Sequence, residues 1–151
     1  MTKTREVVME HSTDLLLIGR RERVSFPEWG LNRLRAKIDT GAYSSVLDVK
    51  AYDLIETEAG LLVQLQISLS RRHPDWVKVV QAPVVSMVGV RNSGGKRERR
   101  PLIESLIRLG PITRRIRLTV TNRSRMRCRM LLGRQALAGQ FLVDVGRKDL
   151  L

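Results

Sequence analysis

The sequence predicts an all-β fold, a barrel or a sandwich, and three observations carry that prediction. Its apolar runs are many and short, most alternate in the two-residue period of a half-buried strand, and turn residues rich in glycine and proline separate them. With 151 residues, 42% of them hydrophobic, the chain is long enough to bury a core without disulfides. Residues 14–151 are expected to form one domain, and residues 1–13, polar and charged, a disordered tail.

Taken in order, LLLIG (15–19) reads as a buried strand, and ERVSF (22–26) follows it, closed by Pro27 and the Trp29–Gly30 turn. In LRAKID, Leu34, Ala36 and Ile38 alternate with Arg35 and Lys37, so this strand delivers Asp39 to its end. Further strands are predicted at VLDV (46–49), LLVQLQISL (61–69), VKVVQAPVVSMVGV (77–90), PLIESLIRL (101–109), RRIRLTVTN (114–122) and RMRCRMLL (125–132). The turn signals EAG (58–60), RRHPD (71–75), NSGG (92–95) and GP (110–111) punctuate them. One short helix is predicted over Arg134–Ala138, ending at Gly139, before a last strand FLVDV (141–145).

Charge narrows the partners. The formal net charge is +13, and residues 91–129 hold 13 of the Lys and Arg residues against Glu98 and Glu104. Polyanions are the expected partners: nucleic acid, ribosomes or acidic polypeptide. Arg115 and Arg117 alternate with Ile116 and Leu118, and Arg123, Arg125, Arg127 and Arg129 alternate with Ser124, Met126, Cys128 and Met130, which predicts a guanidinium stripe on one face. A solvated outer face accounts for it; a polyanion-docking row is the sharper reading. Cys128, the single cysteine, falls with the apolar set and is expected in the core.

Several chemistries are excluded. Two histidines, His11 and His73, and one cysteine offer no HExxH or paired CxxC, so no metal is expected. A phosphate loop fails because Gly95 stands where lysine is required and Arg97 follows Lys96 where Ser or Thr is required, so no nucleotide cofactor is expected either. A Ser or Cys nucleophile would lack a placed histidine base. None of the aromatics falls in the Arg91–Arg129 segment, so base stacking is not available there. The apolar run Leu15–Ile18 is too short for a signal core or a membrane span, and a cytoplasmic location is expected.

What remains is the turn that opens at Asp39. A strand ending in Asp39-Thr40-Gly41, preceded by Ala36-Lys37-Ile38 and followed by Ala42, resembles the active-site turn of aspartic peptidases. Met130-Leu131-Leu132-Gly133-Arg134 resembles the later retropepsin strand that packs beneath that turn. Between them, Val84–Val90, NSGG and Pro101–Leu106 look like a glycine-tipped hairpin where that fold has its flap. With IG (18–19), AKIDTGA (36–42), NR (122–123) and MLLGRQAL (130–137), the chain is similar, over about 16–145, to bacterial and archaeal RimB-like peptidases. That family has long been labelled ATP-dependent zinc proteases, and its members occur beside RimK-type glutamate ligases. The label disagrees with the residues, since neither a zinc motif nor an ATP motif is present.

The resemblance implies a retropepsin-like (acid protease) closed barrel with one short C-terminal helix. It implies a catalytic Asp39 with Thr40 and Gly41, and substrate contacts from Ala42, Arg91, Asn92, Ser93, Gly94 and Leu132. Thr40 would bond across a dimer axis, and Gly41 would offer its N–H to the carboxylate. In the viral enzymes the Arg after the later Gly pairs with an Asp four residues past the catalytic one; here that position is Tyr43, which leaves the partner of Arg134 open.

Hydrolysis by this route needs two carboxyls sharing a proton. Among the other aspartates only Asp144-Val145-Gly146 comes near the motif, and it lacks the hydroxyl residue. An active enzyme is therefore expected to be a homodimer with Asp39 of each copy at a two-fold axis. Association of the family with glutamate ligases implies an acidic substrate such as a glutamate-tailed ribosomal protein. The alternative is a non-catalytic basic RNA- or ribosome-binding module in which Asp39 only bonds its own turn.

Overall fold

The computed structural model describes residues 14–91, 94–122 and 127–151. The predicted tail 1–13, and Arg123 and Arg125 of the expected arginine stripe, lie outside the described residues, as do Asn92 and Ser93. Eleven strands and one short helix make up the described chain: β1 Leu16–Gly19, β2 Arg21–Phe26, β3 Leu31–Ile38, β4 Ser45–Asp48, β5 Ala51–Thr57, β6 Gly60–Ser68, β7 Val77–Arg91, β8 Arg97–Leu109, β9 Ile112–Thr121, β10 Met130–Leu132, α1 Arg134–Leu137 and β11 Phe141–Asp144.

The main sheet runs β2-β3-β10-β4-β9-β8-β7-β6-β5, and an added β2–β8 pairing closes its first six strands into a barrel. That is the fold class the sequence predicts. β7, β6 and β5 continue outward as an antiparallel ribbon, and β1 pairs with β11 as a separate parallel two-stranded sheet. Closure removes free edges from the barrel strands, while β5, at the end of the ribbon, keeps one.

Alternation fills the barrel. Val24 and Phe26 of β2, Ile103, Ile107 and Leu109 of β8, and Ile116 and Leu118 of β9 are buried, and their intervening neighbours turn outward or sit half-buried. Fully burying each large aliphatic side chain contributes about 1.5–3 kcal/mol. Between β2 and β3, Pro27–Trp29 form a short 3-10 turn that lays Trp29 flat on Phe26, with ring centroids 4.8 Å apart. Gly30 ends that turn at φ 66°, where a side chain would be strained.

Two expectations change. Of the strand predicted over 125–132, residues 125–126 lie outside the described residues and 127–129 form a bend, so the described strand is Met130–Leu132; Cys128 is a half-buried free thiol rather than a core residue. Arg115 and Arg117 of β9 do face outward, but acids already meet them: Arg115 pairs with Glu28 at 3.1 Å and Arg117 with Glu104 at 3.0 Å. No helix among the described residues is long and apolar enough to cross a membrane.

Candidate active site

The Asp39 turn is held by strand pairing on one side and by the chain around Gly133 on the other. β3 and β10 run parallel, with Ala36 opposite Met130 and Ile38 opposite Leu132. Asp39 extends that pairing by one step, its N–H donating to the Leu132 carbonyl at 2.9 Å. The chain then reverses: the Ala42 N–H donates to the Asp39 carbonyl at 3.3 Å, and the Gly41 N–H donates to Asp39 Oδ1 at 2.9 Å. A carboxylate that accepts a backbone N–H has one oxygen fixed in direction and the other left for other work.

Gly133 makes the close approach that this turn requires. A Cβ there would lie 2.5 Å from the Ser44 carbonyl oxygen and 2.7 Å from that of Tyr43. Beside it, the N–H groups of Arg134 and Gln135 donate to the carbonyls of Ala42 and Tyr43 at 2.8 and 3.0 Å, and the Gly133 N–H donates to the buried Ser45 Oγ at 3.1 Å. The open question about Arg134 has an answer in this geometry. Its Nη1 donates to the Thr40 carbonyl at 2.9 Å, so a backbone oxygen inside the turn takes the role that an acid at the Tyr43 position would have filled.

A cavity of about 390 Å³ opens beside the turn, under the β7–β8 hairpin. Ala42, Ser44 and Val46 line it from the turn side, Val88, Gly89 and Val90 from β7, and Leu102, Thr119 and Leu131 from β8, β9 and β10. Asp39 is half-buried just before Ala42, while Thr40 and Gly41 are exposed. Ala42 thus reaches the cavity. Leu132, which the sequence assigns to substrate, has its side chain fully buried in the core, and its neighbour Leu131 faces the cavity instead. Arg91 sits at the end of β7 opposite Arg97, and Gly94 lies in the hairpin turn; neither lines the cavity. Asn92 and Ser93 fall outside the described residues.

Sequence reasoning places Val88, Gly89, Val90 and Leu102 in the expected flap hairpin and misses Ser44, Val46, Thr119 and Leu131 as cavity walls. The alternation of Val88 and Val90 about Gly89 marks a strand, but only the hairpin's position over the turn makes those residues a wall. Among the described residues, no group of three or more His, Cys, Asp or Glu is placed to hold a metal ion.

The model of the RimB-like family, described as "Retropepsin-like aspartic endopeptidase RimB", matches residues 17–150. The chain belongs to this family. Curated relatives carry the name "Probable alpha-L-glutamate ligase". One, from Parasynechococcus marenigrum, is 33% identical over 132 residues, which is 87% of this chain and 28% of the relative; another, from Shewanella pealeana, is 31% identical over 133 residues, 88% of this chain and 29% of the relative. The RimB-like chain therefore spans well under a third of the length of these relatives. A crystal structure of a Legionella pneumophila protein of unknown function, Lpg0085, superposes with a TM-score of 0.75 at 25% identity, covering 89% of this chain and 97% of that one.

Proposed function

We propose that this chain is an aspartic endopeptidase that works as a two-fold homodimer, each copy supplying one Asp39. The observation that carries the proposal is the turn itself: Asp39 at the end of a strand, one carboxylate oxygen tied to the Gly41 N–H, beside an apolar cavity capped by a β-hairpin. One chain provides half of a proton-sharing pair. A second Asp39 brought to the same axis would complete it, because two carboxyls so close cannot both ionise and therefore hold one proton between them.

The chemistry then balances. The ionised carboxylate takes a proton from water as the water oxygen bonds to the peptide carbonyl carbon, and the protonated partner gives its proton to the carbonyl oxygen. In the collapse of the tetrahedral intermediate, the carboxyl that took the water proton gives it to the amide nitrogen as the C–N bond breaks, and the other carboxylate takes a hydroxyl proton from the intermediate as the carbonyl re-forms, which restores one proton to the pair. Thr40 would bond across the axis, and the β7–β8 hairpin would close over the substrate and exclude water.

An acidic or glutamate-tailed protein is the substrate class we favour. Support comes from the net charge of +13, from Arg91, Lys96, Arg97 and Arg99 around the hairpin tip, and from relatives named as glutamate ligases, whose product would carry glutamate. The test is cleavage of glutamate-rich and neutral peptides by wild type and Asp39→Asn, with sedimentation to read assembly. Expected results are a dimer, loss of cleavage in the Asn variant with fold and dimer intact, and acidic peptide cleaved faster by a margin that shrinks with salt. An active Asn variant would remove the proposal; a salt-insensitive rate without acidic preference would remove the substrate class alone.

A further inference from the structure

The arginines of this chain converge at a place away from the Asp39 turn. Arg23 on β2, Arg33 and Arg35 on β3, Arg71 after β6, and Arg127 and Arg129 before β10 line one open pocket of about 330 Å³, and none of the described residues lining it is acidic. An adjoining pocket of similar size adds Lys50 and one acid, Asp48. Arg35 precedes Asp39 by four residues along β3, roughly 13 Å at 3.3 Å per residue.

Two features mark the pocket as built rather than incidental. Between Val24–Leu34 and Phe26–Leu31 the β2–β3 register slips by one residue, so Asn32 and Arg33 bulge, and Arg33 takes φ 57° with its N–H on Ser25 Oγ at 3.1 Å. A left-handed conformation in a residue that is not glycine costs on the order of 1–2 kcal/mol, and bulges re-aim side chains. Arg129 is drawn partly out of water here: burial and then the charge on Arg71 lower its pKa, with Asp48 opposing. Arg71 also donates to the Arg127 carbonyl and Arg23 to that of Arg33, and beyond those bonds the guanidinium groups repel one another, a repulsion that a bound anion would relieve.

An aromatic stands at the rim. Leu69, which lines the pocket, donates its N–H to the Trp76 carbonyl at 2.8 Å, one step beyond the Ser68–Val77 pair of β6 and β7. Residues opposed across an antiparallel pair share a face, and continuing the β6–β7 register by one step puts Trp76 on the side of Leu69, next to the lining of the pocket rather than part of it. Its side chain is stacked on His73 with centroids 4.0 Å apart, yet the residue stays 56% exposed. An acidic peptide would use the guanidinium groups and have no need of an open indole. A nucleotide chain uses both, phosphates on arginine and a base on the ring.

We propose that this arginine pocket with Trp76 at its rim is a binding site for single-stranded RNA, separate from the Asp39 turn. The arginines take successive phosphates and Trp76 takes one base, giving binding that tolerates sequence and weakens with salt.

The test is fluorescence anisotropy of the full chain with a labelled uridine oligonucleotide, and with a glutamate oligopeptide of equal charge for comparison. If four to six phosphates are engaged, log affinity falls with log salt at a slope of about −3 to −4. Arg35→Ala with Arg127→Ala lowers that slope by roughly 1.4, and Trp76→Ala weakens RNA binding about fivefold or more while Trp76→Phe restores it. Thermal unfolding of each variant verifies that it is folded. RNA affinity that neither the arginine pair nor Trp76→Ala changes would overturn the proposal. So would a loss confined to the arginine pair, or equal loss of RNA and glutamate peptide in Trp76→Ala, since either assigns the pocket to acidic polypeptide. Binding is read without any cleavage step, so failure here leaves the peptidase reading standing.

Discussion

Gly133→Ala should damage the Asp39 turn from underneath, and the size of the damage follows from three distances. The new Cβ would sit 2.5 Å from the Ser44 carbonyl oxygen, where ordinary contact begins at 3.4 Å, so the Tyr43–Ser44 segment has to retreat by about 0.9 Å. The bonds from Arg134 N to Ala42 O and Gln135 N to Tyr43 O, now 2.8 and 3.0 Å, would stretch to about 3.7 and 3.9 Å, past useful length. Two lost hydrogen bonds at about 1 kcal/mol each and about 1–3 kcal/mol of overpacking strain give a destabilisation of about 3–5 kcal/mol. Urea unfolding reads it as a lower midpoint at unchanged slope. Gly89→Ala is the control: its Cβ would meet nothing within 4 Å, and its stability should stay within about 0.5 kcal/mol of wild type. A Gly133→Ala loss below about 1 kcal/mol would refute the reasoning.

Other predictions follow from the same structure. Glu22 is fully buried and accepts the N–H groups of Gly19, Leu150 and Leu151 at 2.7, 3.0 and 3.2 Å; Glu22→Ala strands three donors and should cost about 3–5 kcal/mol by urea unfolding, with Glu22→Gln costing less, and a loss under about 1 kcal/mol would contradict this. The Asp149 carboxylate, 2.6 Å from Arg21, is held below its ordinary pKa first by that hydrogen bond. Its folded pKa being depressed, the pair stabilises above the ordinary carboxylate range and the contribution fades as pH falls through the lowered value. Arg21→Ala should therefore lower Tm slightly at neutral pH and by less in acid; a Tm difference that does not change with pH would contradict the assignment.

Much of the fold was legible because local and tertiary signals agreed. In β3, Ala36 and Ile38 are buried and Arg35 and Lys37 exposed, as the alternation implies, and β7 runs unbroken from Val77 to Arg91 because β6 and β8 pair with it at either end. β5 was not found. Its residues Ala51–Thr57 are half-buried or exposed with no clean two-residue period, as suits the outermost strand of the ribbon, which packs only one flank. The strand predicted through 127–129 failed for a related reason, since alternating Arg and apolar residues satisfy the pattern without showing whether a partner strand is within reach.

The candidate site was legible in its chemistry and opaque in its surroundings. Asp39, Thr40 and Gly41 announce a turn by type and spacing, but the Thr40 carbonyl as partner of Arg134 is a backbone group 94 residues away, which no side-chain pattern encodes. Charge was legible in part. Arg115 and Arg117 lie on an outer face, as the alternation implies, where Glu28 and Glu104 meet them; Arg127 and Arg129 of the expected stripe line the arginine pocket, but Arg23, Arg33, Arg35 and Arg71 join them from stretches whose local composition gives no sign of it.

The central claim is that two Asp39 carboxyls from two copies act as one unit, and subunit mixing tests it most directly. Wild type and Asp39→Asn are refolded together in equal amounts at fixed total concentration, and peptide cleavage is measured. If both carboxyls are needed, only wild-type pairs work, and activity falls to about one quarter of that of the undiluted enzyme. Activity falling only to about half, in proportion to the wild-type chains present, would mean that each copy acts alone and would contradict the account.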